Sequence, residues 1–412
     1  LLHKLVEETA SISNKTGLEL EVVKVAVRDV AKLRPVDLAE GVLTDRPSEV
    51  IEHPDVQLVV EIMGGEATAG DLVVAALQAG KPVVTANKAL IAARGRELIE
   101  TAERAGVPLL FEAAVGGGIP IIRPLSESLA GEQIDRILGI VNGTTNYILT
   151  KMTEERASYG DALSEAQSLG YAERDPTADV EGFDAGAMAA IIATIAFGAV
   201  VVAGDVYHEG ISDISIDDIA MAERLGYVVK AIAVAEQSVD DDRVAVRVHP
   251  AMIPASHPLA AVRDSFNAVF IEGGAVGDLR LTGRGAGGRP TASAVLGDLI
   301  DAAVNRSGGS QGRIGTLRRA TIRPIDDLES AYYISLDVAD RPGVLARVAD
   351  EFGGNGVSIR SMEQQGLGDD ARIIFITHRS KESSVQATLH ALRGLDIVHA
   401  VGTVLRVVGD ED

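Results

Sequence analysis

The stretch GKPVVTANKALIA at residues 80–92 decides the fold class. Gly80, with Pro82 just beyond it, closes a helical pattern over Ala67–Ala79, which is ordinary helix stop chemistry. Pro82–Ala86 is a short apolar run rich in β-branched residues, and a second helical pattern, Leu90–Ala105, follows it and ends at Gly106. Further apolar runs lie at Val22–Val27, Leu58–Met63 and Pro108–Phe111, recurring at roughly 25-residue intervals. Short buried strands alternating with helices predict an α/β fold with a doubly wound parallel sheet covered on both faces. Such sheets bind ligands at the carboxyl ends of their strands.

Beyond Pro124 the pattern changes. Ile134–Val141, Val244–Val248, Ala268–Glu272 and Asp278–Leu281 read as strands. Asp161–Leu169 reads as a helix capped by Asp161. Asp184–Phe197 reads as a long buried helix, and a helix from about Thr291 to Asn305 follows the glycine-rich GRGAGG at 283–288. Residues 306–330 lack periodicity and read as a linker. From Tyr332 onward the order is strand, helix, strand, strand, helix, strand, ending near Val408, which is the ferredoxin-like plait.

The 412 residues suffice for two or three domains with their own cores. A net charge of −22 argues against nucleic acid or an anionic membrane as partner, because phosphates demand basic patches. No apolar run reaches the roughly 20 residues that span a bilayer, and no signal-peptide pattern opens the chain. A cytoplasmic protein is expected. There is no cysteine, so disulfides, zinc–thiolate sites and thioester chemistry are excluded. The opening LLHKLVEETA has helical spacing, so the chain is expected to start inside a helix.

Several polar motifs carry candidate chemistry. Thr85, Asn87 and Lys88 place a hydroxyl, an amide and an ammonium at a strand's carboxyl end, where a cofactor or reacting carbonyl would sit; an exposed loop lysine is the plainer account. EAAVGGGIP at 112–120 sets Glu112 among glycines, and a carboxylate with backbone carbonyls suits a hard cation; a tight turn between domains is the favoured account of the residues alone. NGTTNYIL at 142–149 and GYAERDPTADVEGFD at 170–184 gather amides, hydroxyls and the acids Glu173, Asp175, Asp179, Glu181 and Asp184, which suits a small zwitterion. A solvated acidic loop is the alternative, weakened because the segment leads into an apolar helix and buried carboxylates need partners. GRGAGG is no P-loop, lacking the Lys-Ser/Thr. DRPGVL at 340–345 could offer backbone N–H groups to a carboxylate, or be a plain strand–helix turn.

Together the segments at 61–65, 80–92, 111–122, 139–149, 170–185, 209–211, 247–250, 257–262, 266–270 and 285–299 resemble homoserine dehydrogenase in the family's order, and the tail from about 331 to 408 resembles an ACT domain. The resemblance implies an N-terminal Rossmann-like NAD(P)-binding domain over 1–125, an α+β catalytic and dimerisation domain over 126–305, a linker over 306–330 and an ACT domain over 331–408. It implies reversible reduction of aspartate semialdehyde to homoserine. By resemblance Lys88 and a lysine one turn past Asp184 are the proton donors, while Glu173, Asp179, Asp184, Asn142 and Thr144 hold the substrate. Gly64, Thr85, Lys88 and Gly285 match positions near the cofactor. Glu112 with the carbonyls of Val115, Gly117 and Ile119 matches a sodium site. A homodimer or homotetramer and an amino-acid effector, with threonine expected, complete the implied picture.

Two departures stand out. The family's first strand and glycine-rich dinucleotide fingerprint are expected before Leu1 and are not in this sequence. And where the family carries lysine after Asp184, this chain has Met188, which has no proton to give. A loss of about 100-fold or more in catalysis is expected from that change. Arg28 after the second family strand suits the 2′-phosphate of NADP, although Asp29 could accept a ribose hydroxyl; NADP is the expected cofactor, with NAD the alternative. A homologue without catalysis, serving as an ACT-type amino-acid sensor, is the competing function. An aspartate-semialdehyde dehydrogenase is excluded by the absence of cysteine.

Overall fold

The computed structural model describes residues 1–238, 243–308, 318–366 and 370–409. The chain divides into two compact units, one comprising 1–135, 187–206 and 267–320, the other 136–186, 207–266 and 321–412.

The first unit holds the expected parallel sheet. Val59–Glu61, Val83–Thr85 and Leu109–Leu110 pair side by side in parallel, in chain order. Ala67–Gln78 and Lys88–Ala105 are the connecting helices, the second closed by Gly106 in the left-handed conformation. Val25–Ala26, within the Val22–Val27 run expected in that sheet, instead forms a separate two-stranded pair with Leu43–Thr44 among the described residues. The chain begins in a helix, Leu2–Thr16, whose Leu5 and Ile12 pack with Val295, Leu296 and Leu299 of the helix Gly288–Gly308 and with Val84 of the central strand.

The second unit is built on one continuous sheet. Its path runs Ile134–Ile140, Tyr227–Gln237, Arg243–Pro254, Val398–Val407, Glu329–Ala339, Asp370–Thr377, Ile359–Gly366. The last four strands, with helices Val344–Gly354 and Glu382–Arg393, form the expected ferredoxin-like plait. That plait does not stand apart: Ala251 and Met252 pair in parallel with Arg406 and Val407. Alternation sorts its side chains. Tyr332, Ile334, Leu336, Val338 and Phe375 face the plait's own helices. Tyr333, Ile374, Ile376, Leu405 and Val407 face Tyr147, Ile148, Met152, Ile219 and Met221 of the helices Gly143–Glu155 and Ile216–Arg224. Each such fully buried large side chain contributes roughly 2–3 kcal/mol, so one face of the sheet holds the plait's own helices and the other cements it into the unit.

Three local expectations change. The helix Tyr159–Ser168 is capped by Ser158, whose hydroxyl accepts the Asp161 N–H; Asp161 lies in its first turn. The described part of the segment read as a linker is structured: Arg318–Arg319 pairs with Ala199–Val200, and Thr321–Ile322 with Arg243–Val244. Residues 309–317 of that segment lie outside the described residues. The strand Tyr227–Gln237 and the helices Gly143–Glu155 and Ile216–Arg224 were not foreseen. Among the described residues no helix is long and apolar enough to cross a membrane.

Candidate active site

At the carboxyl ends of the parallel strands a buried carboxylate organises the turn. Glu61 closes its strand and accepts N–H groups from Met63 and Gly64 at 2.8 and 3.2 Å and the Thr85 hydroxyl at 2.6 Å. Thr85 in turn accepts the Asn87 N–H at 3.0 Å. Asn87 caps the helix Lys88–Ala105 by accepting from Leu90, and its amide donates to the Gly65 carbonyl at 2.6 Å. Thr85 is fully buried and acts only on its neighbours. Lys88 is the first residue of that helix. Gly64 and Gly65 adopt φ of 77° and 79°, and a Cβ on either would meet nothing within 4 Å. Ile62 and Met63 are exposed beside them. This turn is therefore a rigid, glycine-fronted surface with open space and an apolar rim, which fits a nucleotide cofactor.

The other glycine-rich loops behave differently. A Cβ on Gly117 would lie 2.2 Å from the Gly285 carbonyl oxygen, and one on Gly285 would lie 1.9 Å from the Asn267 amide. Gly118 N–H donates to the Arg284 carbonyl at 3.1 Å. These glycines let two backbones meet each other, which is one of the standard uses of the residue. Glu112 is likewise engaged. Its carboxylate accepts N–H groups from Ile121, from Ile122 at 2.8 Å and from Arg123 at 2.9 Å. Its own N–H donates to Asp298 at 2.8 Å, and Arg123 pairs with Asp298 at 3.0 Å. Burial, with Glu112 beside it, pushes the Asp298 carboxyl up to about 7. Among the described residues no group of three or more His, Asp or Glu could hold a metal ion.

In the second unit the NGTTN motif lies at the start of a helix, and its two asparagines part company. Asn142 is the cap, accepting the Thr145 N–H at 2.9 Å, while its amide donates to Asp179 at 2.8 Å and Asp184 at 3.2 Å. The Thr144 hydroxyl is within hydrogen-bond distance of both Asp179 at 3.2 Å and the Tyr171 carbonyl at 2.7 Å. Asn142, Thr145, Asp179, Val180, Gly182, Ala185, together with Glu209 and Val248, line a small cavity of about 10 Å³, room for a water. Glu173, by contrast, is exposed; the Gln167 amide holds its main-chain carbonyl at 3.0 Å. Asn146 points elsewhere. Its amide meets the carbonyls of Val262, Asp264 and Phe266, and its oxygen accepts from Lys230 at 3.0 Å. Lys230 also donates to the Val262 carbonyl at 2.6 Å, and burial lowers its pKa to about 8. Asp184 opens the helix Phe183–Phe197, and Met188, one turn on, is buried.

Three family profiles match the chain: the NAD-binding domain of homoserine dehydrogenase over residues 2–112, homoserine dehydrogenase over 120–300 and the ACT domain over 332–410. The homoserine dehydrogenase of Corynebacterium glutamicum is 46% identical over the whole of this chain and 93% of its own length. The chain belongs to the homoserine dehydrogenase family. It is accordingly an oxidoreductase with a nicotinamide-binding Rossmann-type domain and a C-terminal ACT domain. A solved homoserine dehydrogenase from Thiobacillus denitrificans is similar with a TM-score of 0.92 at 39% identity, covering 98% of this chain and 94% of that one. A hyperthermophilic archaeal homoserine dehydrogenase solved in complex with NADPH has a TM-score of 0.56 at 29% identity, covering 73% and 83%.

Reading the sequence missed four residues on which these sites depend: Glu61, Glu209, Lys230 and Asp298. Each left a signal, a lone charge inside an apolar run or beside a family motif: LVVEIM, YHEGI, YVVKAIAV and AVLGDLI. A charge in such a place needs a buried partner, and each has one here: Thr85 for Glu61, Arg406 for Glu209, Asn146 for Lys230 and the Glu112 N–H for Asp298.

Proposed function

We propose that the chain interconverts L-homoserine and L-aspartate 4-semialdehyde with NADP or NAD, the step feeding threonine, methionine and isoleucine biosynthesis, as a cytoplasmic homodimer or homotetramer. The observation that carries this reading is the Asn142–Thr144–Asp179–Asp184 cluster. Two carboxylates held by one amide at the head of two helices form an acceptor set for a substrate ammonium group. Glu173 supplies a third, exposed carboxylate at the approach. The nicotinamide, when bound, supplies the hydride, and the NADPH complex of the archaeal relative supports that cofactor class here. Gly64 and Gly65 with their open front would hold it, Glu61 and Thr85 positioning that turn. Gly285 supports it indirectly, through the loop contact with Gly117.

Reduction of the aldehyde leaves an alkoxide oxygen that requires a proton. Lys88 is the cation assigned to that task, and Met188 cannot share it. A sodium ion at the 112–119 turn would rest on carbonyls, because the Glu112 carboxylate already accepts three N–H groups. Threonine is the proposed effector of the ACT segment. The test is homoserine-dependent NADP reduction by the protein and by Met188→Lys. The reading expects measurable turnover that rises about 100-fold in the variant. No gain would overturn the role given to position 188. No turnover in either protein, with homoserine still unbound, would overturn the function in favour of an amino-acid sensor.

A further inference from the structure

Glu209 lines the same cavity as Asn142 and Asp179, yet its charge is answered from the far end of the chain. It follows the short strand Tyr207–His208, and its N–H donates to the Val248 carbonyl at 2.8 Å, so its backbone is pinned to the 243–254 strand. One carboxylate oxygen accepts the Tyr207 hydroxyl at 2.5 Å. The other accepts from the Arg406 guanidinium at 2.7 Å. Arg406 lies on the strand Val398–Val407, inside the ACT match, and its side chain is only 5% exposed. Its remaining donors go to Glu382 at 2.7 and 3.1 Å. Glu382 is the first residue of the ACT helix Glu382–Arg393 and also accepts the Tyr332 hydroxyl and the Gln386 amide. The guanidinium sits over the rings of Tyr207 and Tyr332 at 5.5 and 5.8 Å.

This is one buried cation between two carboxylates, one belonging to the pocket wall and one to the regulatory helix. Burial works against the Arg406 charge, but Glu209 and Glu382 outweigh it and keep the guanidinium firmly protonated. An arrangement of this kind has a defined failure: remove the cation and the buried Glu382 and half-buried Glu209 both lose their shared counter-charge. A planar guanidinium, bonded on two edges, also fixes where each carboxylate lies, which a lysine would not do.

We propose that Arg406 is a positioning residue for the substrate pocket, holding Glu209 in its wall and partly neutralising it, so that the ACT segment completes the pocket and can set its affinity for the substrate's ammonium group. This rests on the reading of the Asn142–Asp179–Asp184 cluster as that pocket. Any ligand that shifts helix 382–393 against strand 398–407 changes the partner of Glu209, and by linkage homoserine then changes that ligand's affinity by the same factor.

The test is the homoserine KM, the NADP KM and kcat for the full chain and for Arg406→Lys, Arg406→Met and the double variant Arg406→Met with Glu209→Gln. The proposal expects Arg406→Met to change the homoserine KM by about tenfold or more with the NADP KM unmoved. Arg406→Lys should recover part of the change, and the double variant, which removes both charges, most of it. If Arg406→Met does not fold, the Arg406→Lys and double variants decide. An unchanged homoserine KM in Arg406→Lys, or equal shifts in both KM values, overturns the proposal. If instead Asn142→Ala leaves homoserine affinity intact, the pocket reading fails, and that failure is separate from this one.

Discussion

The two asparagines of NGTTN are four residues apart on one helix, both are buried, and they do opposite work. Asn142 gives its amide to two carboxylates beside a cavity. Asn146 gives its amide to three main-chain carbonyls and its oxygen to a buried lysine. The first arrangement gathers two carboxylates beside a cavity. The second satisfies its groups within the fold. The lesson is that a polar motif in an apolar setting identifies buried polar chemistry without saying which half of it is for a ligand.

If that division is right, damage at the second half is thermodynamic. Asn146→Ala leaves Lys230 with the Val262 carbonyl alone and frees three carbonyls from their amide, so unfolding free energy should fall by about 3 kcal/mol. Chemical denaturation monitored by circular dichroism measures this, and a loss below about 0.5 kcal/mol would break the comparison.

Lys230 sharpens it with pH. Its folded pKa of about 8 lies below the ordinary 10.5. Its stabilising contribution is therefore present above pH ~10.5 and is lost as pH falls through ~8. The stability of Lys230→Met relative to the parent should be greater at pH 7 than at pH 10, by up to about 3 kcal/mol. A gap that does not vary with pH contradicts the buried, charge-disfavouring site.

The glycine turns repeat the contrast on a smaller scale. Gly285→Ala must displace the Asn267 side chain and should destabilise by about 1–3 kcal/mol in thermal unfolding. Gly64→Ala has open space and pays only for its positive φ, about 1 kcal/mol, while the KM for NADP should rise with homoserine affinity unaffected. Equal stability losses with unchanged NADP affinity would remove the distinction between a glycine that faces a ligand and one that faces another part of the fold. The smallest effect expected is at Ser158: Ser158→Ala removes the cap of the helix Tyr159–Ser168 and should lower stability by about 1 kcal/mol without touching substrate kinetics.

Much of this fold was legible. The parallel strands and their helices follow from short apolar runs with Gly and Pro at the boundaries, and the plait from its regular order of strands and helices. What escaped was polar and buried. Lys230 interrupts the run that forms Tyr227–Gln237, so the strand was not recognised. NGTTN hides the start of a helix because cap residues resemble loop residues. The motif named the acids, but not which of them the fold would gather: Asp179 and Asp184 meet at Asn142 while Glu173 lies exposed. The glycines at 117 and 285 were expected to face ligands, but Gly117 closes on the Gly285 carbonyl and Gly285 on the Asn267 amide, long-range contacts that local patterns do not carry.

The most direct test of the account is calorimetric titration of homoserine, with NADPH saturating so that no hydride transfer occurs, into the parent, Asn142→Ala and Asn146→Ala, at a temperature where all three are folded. The account predicts that homoserine affinity falls by at least tenfold in Asn142→Ala, equivalent to about 1.4 kcal/mol, and stays within about twofold in Asn146→Ala. Affinity retained in Asn142→Ala but lost in Asn146→Ala would place the substrate at the Lys230 side of the motif and contradict it.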